Sequence, residues 1–371
     1  MSTHAGGTLR HPGTPRARKT VVYNSFHGRF SCNPRAIYER LADRRAVEHV
    51  WLADARHAAS FPRDVRTVDI GSAEARSVLE RADFLVANTH TEVEWEKQTG
   101  TTYLQTWHGT PLKRIHHDVL WAPEGRLSYL DRDVARWDVL LSPNAPSSPR
   151  LRKAFGFDGT ILETGYPRND LLTSPQAGTV RATVRHDLGI ASDVKAILYA
   201  PTWRDDECLL DREKPVPCGL DVSEFMDLLG DDHELLIRSH NMVTGRAQVA
   251  EQPGVRDVSY FPDIRDLYLA ADVLITDYSS AMFDFAVTGK PMFFFAYDLE
   301  RYAESVRGFY FDFVPEAPGP VLSTTSDLAE AIAAVDEVSR QYSDRYDAFR
   351  ATYCGWEDGH STDRVLDLIG L

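Results

Sequence analysis

The chain has 371 residues, more than one hydrophobic core usually serves, so two domains are expected. Hydrophobic residues make up 43% of the sequence and aromatic residues 11%, which excludes an intrinsically disordered protein. The formal net charge of −14 argues against general nucleic-acid binding, because neutralising phosphates requires a basic surface.

The first 19 residues are rich in Gly, Pro and Thr, and their charged side chains are all basic. This composition predicts a disordered leader, with an electrostatic tether to anionic lipid as the alternative. The leader lacks the apolar segment of a secretory signal, and no apolar run in the chain is long enough to span a bilayer. The four cysteines have neither C-x-x-C nor zinc-ligand spacing, which favours a reduced, cytoplasmic setting.

From Thr20 onward, short apolar runs alternate with amphipathic stretches. The runs predicted to be strands in the first half are TVVYNSF, HVWLAD, VRTVDI, DFLVANT, TYLQTW, DVLLSPN and ILETGYP. NPRAIYERLAD and AEARSVLERA have helical periodicity. Because the strand runs are apolar throughout, they are typical of a parallel sheet that is buried on both faces.

The second half repeats this alternation. Its predicted strands are AILYAPTW, ELLIRSH, VRDVSYF, DVLITDY and PMFFFAY. Its predicted helices are VSEFMDLLG, IRDLYLAA, SAMFDFAVTG and TSDLAEAIAAVDEVSRQYSDRYDAFRATY. Strand–helix alternation in both halves predicts an α/β protein with two doubly wound domains. A cluster of Pro, Gly and Ser places the boundary between domains 20–180 and 181–371.

Polar side chains recur where the predicted strands end. They are Asn24, Ser25, Asn88, His108, Ser142, Thr202, Arg204, His240 and Asp277. In open α/β sheets, ligands bind outside the carboxyl ends of the strands. Two such sheets that face each other predict a ligand cleft between the domains.

Three of these strand ends allow both a structural and a phosphate-binding interpretation. In TDYSS, Ser279 or Ser280 can cap the next helix, or the turn from Thr276 to Ser280 can cradle a phosphate. Arg238 and His240 suit a diphosphate, or they form a solvated strand end. Arg204 suits a phosphate, or it pairs with Asp205 or Asp206.

The HHD sequence from His116 to Asp118 raises the question of a metal site. Adjacent histidines on a helix are expected to point in different directions, and no second cluster of ligands lies nearby in the sequence. We therefore predict no metal site. The chain also lacks a G-x-G-x-x-G fingerprint, a P-loop and a G-x-S-x-G elbow, which argues against dehydrogenases, P-loop NTPases and α/β-hydrolases.

Six stretches occur in an order that resembles the CDP-glycerol glycerophosphotransferase family, which builds teichoic acids and related capsular polymers in bacteria. They are SFHGRFSCNPRAIYERL, QTWHGTPLKRI, ILYAPTWRDD, LLIRSHN, DVLITDYSSAMFDFAVTGKPMFFF and YCGWEDGHSTDRVLDLI. The resemblance covers nearly the whole chain from about Val21, within the boundary error of a few residues.

The resemblance implies a GT-B-like fold with two Rossmann-like halves and an active site between them. It implies a CDP-linked polyol donor, usually CDP-glycerol, bound mainly by the C-terminal half. We expect no cofactor, and the sequence leaves metal dependence open. The implied acceptor is a hydroxyl on a lipid-linked sugar or a growing polyol-phosphate polymer, and the implied nucleotide product is CMP. It further implies a cytoplasmic enzyme with a peripheral contact at the inner face of the membrane as an option.

His108 resembles the proposed general base of the family. A hydroxyl is a weak nucleophile at neutral pH, and an imidazole can take its proton. Gly109 would allow a tight backbone turn, and Pro111 would begin the next helix. A histidine that only caps the turn is the alternative.

The resemblance assigns roles to the other strand-end residues. His240 and Asp277 join His108 as catalytic candidates. Asp277 either orients His240 or another donor-site group, or fixes the turn through backbone N–H groups. The donor-site candidates are Arg204, Arg238, Thr276, Ser279, Ser280, Asp358 and Ser361, while Asn24, Gly109 and Thr110 are assigned to the acceptor side. The alternative functions are transfer from another CDP-polyol such as CDP-ribitol, glycosyl transfer from a nucleotide sugar, and non-catalytic nucleotide binding.

Overall fold

The computed structural model describes residues 18–202, 219–239 and 252–371. Within these residues, the chain forms two parallel β-sheets with helices packed around them. Arg204 and His240, two of the predicted site residues, lie outside the described residues.

The first sheet has seven strands in the order β3-β2-β1-β4-β5-β6-β7, and its neighbouring strands are parallel. The strands are β1 (Lys19–Asn24), β2 (Val47–Ala53), β3 (Thr67–Asp69), β4 (Phe84–Ala87), β5 (Thr102–Gln105), β6 (Val139–Ser142) and β7 (Thr160–Glu163). The direction of strand addition reverses between β1 and β4, which is where doubly wound sheets bind ligands.

Helices connect the strands of this first half. The α-helices span Cys32–Leu41, Ala73–Glu80, Arg126–Val134, Ser147–Phe155, Asp170–Thr173 and Ala177–Asp187. Short 3-10 turns span Ala55–Ser60, His116–Asp118 and Pro167–Asn169. Local sequence sets some boundaries: the Ser72 hydroxyl accepts a hydrogen bond from the Ala75 N–H (3.1 Å) and so caps the second helix.

The second sheet has six strands in the order β10-β9-β8-β11-β12-β13, again with parallel neighbours. The strands are β8 (Lys195–Tyr199), β9 (His233–Ile237), β10 (Val255–Asp257), β11 (Val273–Thr276), β12 (Met292–Phe295) and β13 (Val321–Leu322). Its order repeats the arrangement of the first sheet, so the reversal falls between β8 and β11.

The helices of the second half follow the same pattern. They span Val222–Leu229, Ile264–Ala270, Ala281–Ala286, Leu299–Arg301, Phe313–Glu316, Thr325–Ala333, Val335–Tyr353 and Ser361–Ile369, with a π-helical turn at Tyr302–Val306. The last helix packs away from the second sheet: its Val365 and Leu366 are buried with Val21, Tyr23 and Trp51 of the first half. The last helix therefore packs on the first half of the chain.

The prediction of an α/β fold with two doubly wound sheets is confirmed. Every predicted apolar run contains a strand of the expected sheet, because each run has the length and continuous hydrophobicity of a strand buried on both faces. The sequence analysis missed β13, which has only two residues, and it joined two helices that are separated at Ala334. The domain boundary near residue 180 stays a prediction.

Candidate active site

Two buried asparagines lie at the reversal point of the first sheet. Asn24 ends β1 and donates a hydrogen bond to the Thr91 hydroxyl (3.1 Å). Asn88 follows β4, accepts from the Phe26 N–H (2.9 Å) and donates to the Ser25 hydroxyl (3.2 Å). The Asn24 Oδ1 is buried without a hydrogen-bond partner, so this edge of the sheet retains an unused acceptor.

His108 lies just beyond the end of β5, next to this polar edge. Its Nδ1 is 2.5 Å from the carbonyl oxygen of Asn88. Because a carbonyl can only accept, Nδ1 carries the proton and Nε2 presents a lone pair. The ring lies against Trp107 (4.2 Å between ring centres) and the edge of Phe26 (5.2 Å), which fix its orientation.

The environment of His108 favours the neutral imidazole. Burial lowers its pKa to about 4; the Asn88 carbonyl opposes this shift, and the positive charge of Arg168 reinforces it. A neutral ring with its Nε2 lone pair available can accept a proton at pH 7. The geometry is thus compatible with the predicted general base.

Arg168 connects His108 to the second half of the chain. Its Nη1 donates to the His108 carbonyl oxygen (2.9 Å), and its Nη2 pairs with the Asp284 carboxylate (2.7 Å). Asn169 donates to the other oxygen of Asp284 (3.0 Å). The side chains of Arg168 and Asp284 are each only 6% exposed. This buried network holds the backbone of the candidate base against the helix Ala281–Ala286.

The sequence analysis missed Arg168, Asn169 and Asp284. One signal was available, because Asp284 is a single acid inside the apolar stretch AMFDFAV. A buried carboxylate needs a partner, which predicts a cation but does not identify it.

Gly109 brings the two halves into close contact. A Cβ atom at this position would lie 2.5 Å from the Ser280 Oγ and 2.8 Å from the Ser280 Cβ. Only glycine therefore fits here without displacement of Ser280. Next to it, the buried Thr110 accepts a long hydrogen bond from Asn144 (3.4 Å). The structure thus places the predicted base motif directly against the predicted phosphate turn.

The turn after β11 is held by its own polar groups. Thr276 is fully buried and donates to the Ala200 carbonyl oxygen (2.8 Å). The two carboxylate oxygens of Asp277 accept from the Thr202 N–H (2.9 and 3.0 Å), and one also accepts from the Tyr278 N–H (2.6 Å). These contacts match the second of the two roles considered for Asp277, that of fixing the turn. Any contact with His240 lies outside the described residues.

The two serines of this turn have different surroundings. The Ser279 hydroxyl accepts from the Ala281 N–H (3.3 Å), as in a helix cap. Ser280 faces Gly109 across the contact between the halves, and both serines are partly exposed. A donor phosphate at this turn stays a prediction.

Arg238 follows β9 and is half-buried. Its Nη1 donates to the Phe261 carbonyl oxygen (2.9 Å), and burial lowers the pKa of the guanidinium, an effect that the negative charge of Asp263 opposes. The same Nη1 also donates to the Val258 carbonyl oxygen (3.4 Å). The guanidinium carries other N–H donors as well, and its role toward a diphosphate stays a prediction.

Asp358 and Ser361 lie at the start of the last helix. Exposed Asp358 pairs with Arg364 (2.8 Å), whereas Ser361 is fully buried and its N–H donates to Asp170 (2.9 Å). The bond from Ser361 to Asp170 attaches the last helix to the first half of the chain. Contacts of Asp358 and Ser361 with the donor stay a prediction.

The described residues therefore bring together His108, Gly109, Ser280, Arg168 and Asp284, with Asn24 and Asn88 at the same edge of the first sheet. A model of the family described as CDP-Glycerol:Poly(glycerophosphate) glycerophosphotransferase matches residues 9–371. The chain belongs to this glycerophosphotransferase family. The family prediction is confirmed, and the chain is an enzyme of the transferase class.

Two curated relatives show how far the similarity extends. The chain is 37% identical over 362 residues to the teichoic acid glycerol-phosphate transferase of Staphylococcus aureus. The aligned residues cover 95% of this chain and 93% of the relative. It is 36% identical over 365 residues to the teichoic acid poly(glycerol phosphate) polymerase of Bacillus subtilis, and the aligned residues cover 96% of this chain. The chain spans about half (49%) of the length of that polymerase.

Solved structures confirm the GT-B-like fold. The wall teichoic acid polymerase TagF superposes with a TM-score of 0.85 at 36% identity, covering 95% of this chain and 88% of the solved chain. A TagF variant soaked with CDPG gives a TM-score of 0.86 at 34% identity, covering 96% of this chain and 89% of the other. The two halves of this glycerophosphotransferase family member are therefore arranged as in TagF.

Proposed function

We propose that this chain transfers glycerol phosphate from CDP-glycerol to an acceptor hydroxyl and releases CMP. The observation that carries the proposal is the contact between the His108–Gly109 turn of one half and Ser280 of the other. This contact supports the proposal because it joins the residue after the candidate base, whose imidazole burial keeps neutral, to the turn where the resemblance expects the donor diphosphate. Membership of the glycerophosphotransferase family supports the same reaction.

In the proposed step, the acceptor hydroxyl attacks the β-phosphorus of CDP-glycerol. The new bond joins the acceptor oxygen to that phosphorus, and the bond from the β-phosphorus to the bridging oxygen breaks, so CMP leaves with that oxygen. The proton of the hydroxyl passes to the Nε2 of His108. Arg238 and the turn at Ser279 and Ser280 would hold the diphosphate, since positioning and electrostatic stabilisation dominate phosphoryl transfer.

The nucleotide product tests this proposal directly. The purified chain is incubated with CDP-glycerol, CDP-ribitol or a nucleotide sugar, each with a polyol-phosphate acceptor, and the spent donor is separated by chromatography. CMP formed from CDP-glycerol is the expected result. CDP as the main nucleotide product would overturn phosphotransfer in favour of glycosyl transfer. If CMP formed faster from CDP-ribitol than from CDP-glycerol, CDP-ribitol would be the donor instead.

We propose further that the acceptor is lipid-linked or polymeric and that the chain contacts the inner face of the membrane peripherally. Within residues 18–202, 219–239 and 252–371, no helix combines the length and apolar character that crossing a bilayer requires. Two neighbouring apolar side chains, Leu120 (45% exposed) and Trp121 (69% exposed), support an interfacial contact, as does the basic composition of the leader.

Vesicle binding tests the membrane part separately. Removal of the residues before Thr20, or the change Trp121→Ser, is expected to weaken sedimentation with anionic vesicles while activity on a water-soluble acceptor is retained. Each basic residue near an anionic surface contributes about 1 kcal/mol. Trp356→Ser, a change at another exposed tryptophan, is the control. Equal vesicle binding by all variants would contradict this contact.

A further inference from the structure

Three potential ligands converge beside the segment that follows the His108 motif. His116 and His117 share the short 3-10 turn His116–Asp118, and Asp131 lies on the helix Arg126–Val134. The Nε2 atoms of both rings approach the same Asp131 oxygen, at 2.8 Å for His117 and 3.7 Å for His116. The expectation that these adjacent histidines point apart is therefore wrong, because both rings turn toward a residue on another helix.

His116 gives a second, independent indication. Its side chain is only 2% exposed, and neither of its ring nitrogens makes a hydrogen bond of normal geometry, although the Ala154 backbone lies near the ring. A buried imidazole without a partner is costly, since desolvation of a polar group is normally offset by a hydrogen bond or a metal. One of these unpartnered nitrogens, Nε2, faces the carboxylate of Asp131.

The spacing suits a tetrahedral metal ion. One nitrogen or oxygen from each of the three residues lies within 4.8 Å of the others. Zinc bonds of about 2.0–2.1 Å in a tetrahedron place neighbouring ligand atoms about 3.3 Å apart, so small side-chain rotations are sufficient. His117 and Asp131 are 44% and 41% exposed, which leaves room for a water at the fourth position.

We propose that His116, His117 and Asp131 bind one divalent transition-metal ion of the zinc type. Two imidazoles and a carboxylate are ligands that zinc accepts, with water completing the set. The ion would join the turn His116–Asp118 to the helix Arg126–Val134 and so fix the residues between them. Because the Tyr310 hydroxyl of the second half donates to Asp118 (2.8 Å), the ion would also stabilise a contact between the halves.

The site is separate from the candidate base. The His116 ring contacts His90 (5.4 Å between centres), His90 contacts Trp107 (6.1 Å), and Trp107 contacts His108 (4.2 Å). The proposed ion therefore has a structural role, and it does not depend on the identity of the donor. An experiment that tests this site must therefore measure metal binding rather than transferase activity.

Cobalt provides the readout, because tetrahedral Co²⁺ absorbs visible light much more strongly than the hexaaqua ion. The metal-free full chain is titrated with Co²⁺ and then with Zn²⁺. We expect one equivalent of Co²⁺ to give an intense visible spectrum that Zn²⁺ abolishes. His117→Gln and Asp131→Asn should lower the affinity at least about tenfold, because the loss of an orienting group alone costs about 10–100-fold. Buried His116 is left unchanged, so that folding is preserved.

Two matched controls make the result specific. His186 and Asp187 form an exposed pair (3.3 Å) elsewhere, so His186→Gln and Asp187→Asn should bind Co²⁺ as the parent does. A variant with His4→Gln and His11→Gln removes the histidines of the leader and should also be unchanged. Zn²⁺ should raise the melting temperature of the parent and of these controls, but not of the His117 and Asp131 variants. Absence of stoichiometric tetrahedral binding, or equal binding by all variants, would overturn the proposal.

Discussion

Arg168 and Asp284 form a buried ion pair, 2.7 Å long, between the turn that follows the first sheet and the helix Ala281–Ala286 of the second half. The same guanidinium donates to the backbone carbonyl of His108. The pair therefore does two things: it joins the halves, and it positions the candidate base relative to the phosphate turn.

Asp284→Asn should strongly destabilise the protein and lower its turnover. Removing one partner of a buried pair leaves an uncompensated charge, which costs about 3–5 kcal/mol of unfolding free energy. Urea unfolding measures this loss, and transferase assays under folded conditions measure the displacement of His108. The control is Arg256→Gln. Arg256 pairs with Glu234, but its side chain is 38% exposed, so loss of this pair should lower stability much less. Equal losses for both variants would contradict a special role for the buried pair.

Gly109→Ala should reduce turnover because the added methyl group would lie 2.5 Å from the Ser280 Oγ. A displacement of about 1 Å at a reacting group can cost roughly a hundredfold in rate. Both close atoms belong to the Ser280 side chain, so the double variant with Ser280→Gly should recover part of the loss. Single-turnover kinetics would measure both rates.

Gly178→Ala is the matched control for this prediction. Gly178 lies in the helix Ala177–Asp187, and a Cβ atom there would meet nothing within 4 Å. Alanine at this position should leave activity unchanged and stabilise the fold by about 0.5–1 kcal/mol. If Gly109→Ala were as harmless as Gly178→Ala, the close contact between the halves would not be important for the reaction.

The sequence predicts strands and strand ends well, because both follow from local pattern. The apolar run around Leu274 has to be a buried strand, and parallel sheets place the residues after their strands, such as His108 and Asp277, on one edge. This local pattern does not identify which residues distant in the sequence contact each other in the fold.

Long-range partners account for the residues that sequence reasoning missed. Arg168 and Asp284 are 116 positions apart, so no periodicity relates them. The convergence of His116 and His117 on Asp131 depends on the path of the chain between two helices. The hydrogen bond from the Thr276 hydroxyl to the Ala200 carbonyl oxygen also depends on tertiary structure, while the predicted role of Thr276 toward the donor stays a prediction.

The pH dependence of the reaction tests the state of His108. Burial lowers its pKa to about 4, so the ring is neutral and active above that pH and becomes protonated only as the pH falls through it. The value of kcat/KM should therefore not fall between pH 8 and pH 6 because of His108. An acid limb near pH 6.5, with folding confirmed by circular dichroism, would contradict the lowered pKa.

Donor binding should raise the pH at which protonation of His108 lowers the rate. A bound diphosphate places negative charge near His108, and negative charge favours the imidazolium. The kcat profile, which reports the substrate complex, should thus fall at a higher pH than the kcat/KM profile, which reports the free enzyme. His108→Ala, which lacks the titrating ring, is the control and should lose this difference.

The last prediction separates the two candidate catalytic histidines. If His108 is the base, His108→Ala should lose turnover by about a hundredfold or more, the usual scale of general-base catalysis, and should bind CDP-glycerol almost as the parent does. His240→Ala removes a predicted ligand of the diphosphate, so its donor affinity should fall, and its turnover should fall with it if the contact strengthens in the transition state.

Calorimetry with CDP-glycerol and single-turnover kinetics give both quantities for each variant. His186→Ala is the control, because His186 is 89% exposed and far from the cleft motifs in sequence, so both quantities should match the parent. If His108→Ala abolished donor binding while the bound donor still reacted at the parental rate, His108 would be a donor ligand. The QTWHGTPLK motif would then be a donor-site turn, and the base would have to be sought elsewhere at the polar edge near Asn24 and Asn88.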